Sequence, residues 1–96
     1  MSEVEYYREL LSRSLEGRLE SPEIKVIEDF PLRYIAVIVS PTFEGMDEND
    51  RQVLAWQAVY DHISEDDRRW IFYMHTYTPA EVAEFARADE ETVQKG

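Results

Sequence analysis

Apolar residues recur at a helical period near the start of the chain. The recurring positions are Val4, Tyr7, Leu10 or Leu11, and Leu15. This spacing is typical of the buried face of an amphipathic helix. Ser2 and Glu5 have the spacing of a capping box at its start, and Gly17 is expected to end it.

Two strand-like segments follow, separated by a proline. Residues 24–30 read IKVIEDF and residues 33–40 read RYIAVIVS, and both are rich in β-branched residues. Because proline breaks a hydrogen-bonded ladder, Phe30-Pro31 marks the hairpin connection, and the two strands are expected to pair antiparallel. The nearly continuous apolar run of the second strand is typical of a central strand that is covered on much of both faces.

A second helix is predicted after the loop of residues 41–50, in which Gly45 is the flexible point. Asp47 or Asn49 can cap the helix N-terminus. Helical spacing then joins a set of apolar residues: Val53, Trp56, Tyr60 and Ile63. We therefore expect Trp56 to be buried in the core, together with Leu11 of the first helix.

The aromatic-rich segment RWIFYMHTY, residues 69–77, follows a charged turn and is predicted to form a third strand. Side chains alternate between the two faces of a strand. We expect Trp70, Phe72 and Met74 to face the helices, because large apolar side chains need a core. The opposite face would then carry Ile71, Tyr73, His75 and Tyr77.

The chain should finish with a helix. Its start is marked by Thr78 as the N-cap and by Pro79 as the first helical residue. The carboxylate of Glu81 has the position that closes a capping box. Val82 and Phe85 give this helix a modest apolar face. The polar tail, residues 89–96, is expected to fray.

The predicted order is helix, strand, strand, helix, strand, helix, which is an α+β fold. A helix joins the second and third strands, so these two strands should run parallel. The prediction is a single domain with a core at about residues 4–86 and a three-stranded mixed sheet that has its helices packed on one face.

Composition narrows the range of functions. The 96 residues carry a net charge of −11 and contain no cysteine. The charge opposes binding of a phosphate backbone, and the lack of cysteine excludes disulfides and thiolate ligands. No apolar run approaches the ~20 residues that span a membrane, and a cytoplasmic location is the expectation.

Three segments together resemble the BolA family. They are VIVSPTFEG at residues 37–45, Arg51 near the start of a helix, and HTYTPAE at residues 75–81. The resemblance implies a class II KH-like fold and a non-enzymatic adaptor that associates with monothiol glutaredoxins, shares a [2Fe–2S] cluster with them and is linked to stress responses in some members.

The sequence departs from the family at the cluster ligands. The family has a ligand histidine near the start of the third strand, where this chain has Trp70, and residues 29–33 contain neither histidine nor cysteine. The indole nitrogen has no lone pair for a metal. We therefore predict no cofactor. A cluster shared with a glutaredoxin, with altered ligands and His75 as the candidate, remains the alternative.

The sequence thus predicts a protein-binding adaptor and no catalytic residue. The expected partner-binding residues are Ile71, Tyr73, His75, Tyr77 and Arg51. The partner is a protein, with a monothiol glutaredoxin or a second copy of the chain as the candidates. A KH-like nucleic-acid-binding or transcription-regulatory protein is the alternative from another class, because TFEG at residues 42–45 lies near the place of the KH glycine loop.

Overall fold

The computed structural model describes the backbone of residues 2–95 and the side chains of residues 2–88. The predicted element order is confirmed, with two added helical turns: a 3-10 turn at Pro41–Phe43 and the short helix α3. The elements are α1 (Glu3–Glu16), β1 (Glu23–Phe30), β2 (Arg33–Val39), α2 (Glu48–His62), α3 (Glu65–Arg68), β3 (Ile71–Tyr77) and α4 (Pro79–Lys95).

The three strands form one sheet in the order β1-β2-β3. β1 and β2 pair antiparallel across the hairpin, and β2 and β3 pair parallel. Both pairings were predicted, because a two-residue connection forces antiparallel neighbours and a helical connection permits parallel ones. The mixed three-stranded sheet of the predicted α+β class is therefore confirmed.

Helices α1 and α2 cover one face of this sheet. The α1 side chains that repeat at helical period, among them Leu11 and Leu15, are buried against alternate residues of β2 such as Tyr34, Ala36 and Ile38. The expectation for Leu11 is confirmed. The alternation along β2 is regular, with one face in the core and the other half-buried.

The buried face of α2 differs from the prediction. Ala55, Ala58 and Val59 are fully buried, whereas Val53 and Tyr60 are 47% and 61% exposed. Trp56 is only partly buried at the edge of the core. The prediction followed the largest side chains and missed the alanines. Those small side chains leave room for α2 to lie close to its neighbours, and the bulky residues remain at the margin.

A β-bulge at the start of β3 overturns part of the predicted face assignment. Tyr34 pairs with Ile71, but the next residue, Ile35, pairs with Tyr73. Phe72 is therefore an extra residue without a partner on β2, and an extra residue reverses the alternation on either side of it. The prediction that Phe72 is buried is wrong, because its side chain is 59% exposed.

The same bulge places Ile71 in the core, where it is 5% exposed. Its expected position on the open face was wrong for this reason. Met74, beyond the bulge, is fully buried as predicted, while Trp70 is half-buried and packs against the edge of the core. Tyr73, His75 and Tyr77 lie on the face opposite the core, as expected.

Helix caps follow the sequence. The Ser2 and Asp47 side chains accept the predicted hydrogen bonds at the starts of α1 and α2. Helix α4 continues to Lys95 through the tail that was expected to fray, and the tail side chains lie outside the described residues. In the part of the chain that is described, no helix has the length and apolar character needed to cross a membrane.

Candidate partner interface

The face of the sheet opposite α1 and α2 is largely apolar. The strand register aligns Ile35 with Tyr73, and Val39 with Tyr77. These side chains are half-buried or exposed. We call this surface the open face; its members on the two strands are Ile35, Val37, Val39, Tyr73, His75 and Tyr77.

Strand β1 extends the open face to the edge of the sheet. Ile27 pairs with Ile35 and is 43% exposed. Further along the strand, Lys25 pairs with Val37 and Glu23 pairs with Val39. The open face therefore has an apolar centre and a charged margin, which is the usual layout of a surface that binds another protein.

Aromatic rings form a continuous series along the β3 side of this face. The Tyr73 and His75 rings meet edge to face at 4.7 Å, and the His75 and Tyr77 rings lie parallel at 6.1 Å. Tyr77 in turn meets Phe85 of α4 edge to face at 5.3 Å. Contacts of this kind stabilise aromatic pairs and hold the side chains in place, so the rings present a pre-ordered surface.

A groove runs between the open face and α4. Its volume is about 410 Å³, and Val37, Val39, Tyr77, Val82 and Phe85 form most of its wall. Between Pro79 and Ala88, α4 buries no hydrophobic side chain, and Phe85 is 54% exposed. The predicted apolar face of α4 thus lies beside the open face and extends it.

A network around Arg51 sets the direction in which α4 leaves the sheet. Arg51 donates to the Met46 carbonyl at 3.0 Å, to the Thr76 carbonyl at 3.2 Å and to the Glu81 carboxylate at 2.8 Å. Glu81 also accepts from the Thr78 backbone at 2.7 Å, and Thr78 Oγ1 accepts from the Glu81 backbone at 3.1 Å. The predicted capping box is thereby confirmed.

Arg51 has an internal role, and its expected contact with a partner needs correction. The residue is 9% exposed, and its guanidinium is engaged with the loop before α2, with β3 and with α4. The Arg51 hydrogen bond, followed by the Thr78 backbone hydrogen bond, lowers the pKa of the Glu81 carboxyl below its usual value. The network therefore orders one end of the open face without lying on it.

Trp70, the residue at the position of the family's cluster ligand, cannot coordinate a metal, because its indole nitrogen has no free lone pair. Trp70 lies against the core edge with the Arg69 guanidinium 5.2 Å from its ring centroid. His75 lies further along β3, between two tyrosine rings. Among the described residues, no three histidine, aspartate or glutamate side chains converge to form a metal site within this chain alone.

A second exposed apolar region lies at the opposite end of the sheet. Phe30 and Leu32 at the hairpin are 64% and 48% exposed, and Phe72 lies beside them. The Arg33 guanidinium lies 5.2 Å from the Phe30 ring centroid and 4.6 Å from that of Phe72. We call these four residues the hairpin end. The sequence prediction missed it because the bulge that exposes Phe72 has no clear sequence signal.

Comparison with solved structures finds BolA and BolA-like proteins that share this fold. The chain is similar to a BolA homologue from Coxiella burnetii, with 28% identity, a TM-score of 0.59, and coverage of 86% of this chain and 99% of the other. It is also similar to a Bol-like protein from Babesia bovis, with 28% identity, a TM-score of 0.61, and coverage of 82% and 92%.

A third structure, BolA1 from Arabidopsis thaliana, has 22% identity and a TM-score of 0.58, and covers 77% of this chain and 93% of its own length. No protein-family model matches the sequence, and a search of curated proteins gives no significant match. The agreement between structures, over most of both chains in each case, extends the resemblance found in three short sequence segments to the whole fold.

Proposed function

We propose that this chain, which has the fold of the BolA family, is a non-enzymatic adaptor that binds a partner protein through its open face. The observation that carries the proposal is the aromatic series from Tyr73 to Phe85, on a sheet face that α1 and α2 leave uncovered. Such apolar surface is costly to leave in water and commonly marks a partner site.

The chemistry of the open face favours binding over catalysis. Tyrosine combines a large apolar ring with one polar tip, and it often anchors interfaces. The flanking Val37 and Val39 offer no nucleophile or general base. The groove beside α4 would accept an apolar side chain of the partner against Tyr77 and Phe85, while Tyr73 would contact the partner further along the open face.

The proposed partner class is a monothiol glutaredoxin, which is the partner that the family resemblance implies. The chain would associate without supplying a cluster ligand, because Trp70 and the hairpin have none to offer. A second copy of the chain is the competing partner. The net charge of −11 opposes self-association, and the proposal keeps the cytoplasmic location expected from the sequence.

The nucleic-acid alternative has weaker support. The open face carries one basic residue, Lys25, beside Glu23. The glycine of the loop after β2, Gly45, follows Glu44 in an acidic stretch, and Arg51 is occupied internally. A surface with this charge would repel a phosphate backbone.

Backbone amide chemical shifts test the proposal directly. The isotope-labelled chain would be titrated with an unlabelled monothiol glutaredoxin, once without a cluster and once with the glutaredoxin's own cluster. We expect shift changes at Tyr73, His75, Tyr77 and the start of α4 in both titrations. Changes confined to the hairpin end, or a requirement for the cluster, would contradict the proposed surface.

A further inference from the structure

We infer that a cavity between the start of α1, the β1–β2 hairpin and α3 is a binding site for an organic cation that carries an alkylammonium or guanidinium group. The cavity lies at the hairpin end of the sheet, on the helix side. Its volume is about 220 Å³, several times the roughly 30 Å³ of one water molecule. It is separate from the open face and does not depend on the proposed adaptor function.

Aromatic side chains form most of the cavity wall. Four rings line it, from Tyr6, Tyr7, Tyr34 and Trp70, together with the Leu32 side chain. Tyr7 and Tyr34 are stacked with ring centroids 4.5 Å apart, and Tyr6 meets Tyr7 edge to face at 5.4 Å. Rings arranged around a small space attract cations through the negative charge of their faces.

Two carboxylates, those of Glu3 and Asp67, complete the lining, and two of the tyrosine hydroxyls donate to them. Tyr6 donates to Asp67 Oδ2 at 2.8 Å, and Tyr34 donates to Glu3. Tyr7 donates to the Asp67 carbonyl at 3.0 Å. These hydrogen bonds fix the three rings, so the cavity is shaped before any ligand enters.

The Tyr34 hydroxyl lies close to two carboxylates at once. Its oxygen lies within hydrogen-bond distance of Glu3 and also 3.1 Å from Glu28 Oε2. A phenol has one hydrogen to donate, so one of the two carboxylates faces the hydroxyl oxygen without a proton between them. A cation close by would relieve that repulsion.

The surroundings identify the kind of cation. Within the described residues, no three carboxylate or histidine groups converge as a metal ion would need. Aromatic faces, by contrast, bind cations that carry little hydration, and guanidinium is more weakly hydrated than ammonium. An apolar stem could lie against Leu32 and Trp70 while the charged group lies near Glu3 and Asp67.

One cation of the chain itself is close to the cavity. The Arg69 guanidinium lies 5.2 Å from the Trp70 ring centroid, and its side chain is 62% exposed. At this distance the guanidinium is within the range of a cation–π interaction with the ring. It also competes with a ligand, so its removal should strengthen binding if the cavity takes a cation.

Two sources could supply the cation: a free amine, or a lysine or arginine side chain of another protein. Four probes cover both. They are n-butylammonium, agmatine, N-acetyl-lysine methylamide and N-acetyl-arginine methylamide, each titrated into the full chain carrying Trp56→Phe so that Trp70 fluorescence reports alone. Tighter binding of the free amines would indicate the first source, and tighter binding of the capped amino acids would indicate the second.

We expect saturable binding of at least one probe, with the affinity reduced about tenfold in Glu3→Gln and in Asp67→Asn and increased in Arg69→Gln. Glu65→Gln is the matched control. Glu65 is in α3, the same helix as Asp67, but it does not line the cavity, so its substitution should not change the affinity. Butan-1-ol, which keeps the stem without the charge, should not bind. Thermal melts of each variant show that it remains folded.

Three results would overturn the inference. One is the absence of saturable binding for all four probes in a folded chain. Another is equal binding of butan-1-ol and n-butylammonium, which would make the cavity an apolar cleft only. The third is an affinity that Glu3→Gln and Asp67→Asn leave unchanged while Glu65→Gln reduces it. If either acid variant fails to fold, Trp70→Leu, with amide shifts of Tyr6 and Tyr7 as the readout, is expected to abolish binding.

Discussion

The two ends of the sheet differ in how regularly they are built. At the α4 end, β2 and β3 pair residue by residue from Ile35 to Val39, and the Arg51 network fixes the helix that follows. At the hairpin end, β3 has a bulge at Phe72, and Leu32 has a φ of 62°, which is the left-handed region. The regular end carries the open face, and the irregular end carries the cation cavity.

The difference shows where local sequence rules hold. Strict alternation applies to a strand only while its register is unbroken, so the faces of residues 73–77 were predicted correctly and those of Ile71 and Phe72 were not. The hairpin end, where the backbone is irregular, also has exposed apolar side chains, and the Arg33 guanidinium lies over two of its aromatic rings. Each prediction below tests one side of this comparison, from the largest expected effect to the smallest.

The largest effect should come from the core side of β3. Met74 is fully buried, so Met74→Ala should lower the free energy of unfolding by about 2–5 kcal/mol, through lost burial and a cavity. Phe72→Ala, two residues earlier, removes a side chain that is 59% exposed and should cost about 1 kcal/mol or less. Urea denaturation of both variants measures the difference. A larger loss for Phe72→Ala would mean that the bulge is absent.

The next effect concerns the network at the α4 end. Arg51→Ala removes hydrogen bonds to two carbonyls and one carboxylate, and should cost about 2–3 kcal/mol. Arg51→Lys keeps the charge but cannot reproduce the forked geometry, so it should recover only part of that loss. Urea denaturation measures both. Equal stability of Arg51→Ala and the unchanged chain would show that the network does not hold α4.

The pH dependence of the same network has a definite sign. The Glu81 pKa lies below its usual value of 4.5 in the folded chain, chiefly because of the Arg51 hydrogen bond. The stability that ionised Glu81 contributes is therefore fully present above its unfolded pKa, and is lost as the pH falls through the folded pKa. The stability difference between the unchanged chain and Glu81→Gln should shrink on acidification. A difference that grows toward low pH would contradict this assignment.

A smaller effect, of opposite sign, is expected at the hairpin. A left-handed conformation costs an L-residue roughly 1–2 kcal/mol, and glycine avoids that cost while losing more freedom on folding. Leu32→Gly should therefore raise the free energy of unfolding by about 0.5–1 kcal/mol. Leu32→Ala keeps the same backbone strain and is the matched control, without a gain. If both variants gain equally, the side chain and not the backbone is responsible.

The sequence predicted the elements whose signals are local. Ser2, Asp47, Thr78 and Glu81 cap their helices as expected because the caps depend on neighbours a few residues away. The strand directions followed from the lengths of the connections. Strand alternation is also a local rule. It placed Tyr73, His75 and Tyr77 on the open face correctly, because the register beyond the bulge is regular.

The missed features depend on contacts between elements. The burial of Ala55 and Ala58 in place of Val53 and Tyr60 reflects the fit of α2 against its neighbours, which helical period alone does not encode. The bulge at Phe72 lies where β3 enters the sheet after α3. The internal role of Arg51 required the position of α4, so its apparent motif was interpreted as a surface contact.

The central claim, that the open face binds the partner, is tested most directly by two matched double variants. Tyr73→Ser with Tyr77→Ser removes two aromatic rings from the open face, and Phe30→Ser with Phe72→Ser removes two from the hairpin end. Calorimetric titration with a monothiol glutaredoxin should show an affinity reduced tenfold or more for the tyrosine variant, since tyrosine is enriched among the residues that dominate interfaces and a loss of about 1.4 kcal/mol from the two together is tenfold. The phenylalanine variant should bind within about twofold of the unchanged chain, as changes outside an interface do, and melts should show both variants folded. Loss of binding in the phenylalanine variant alone would contradict the account and place the partner at the hairpin end.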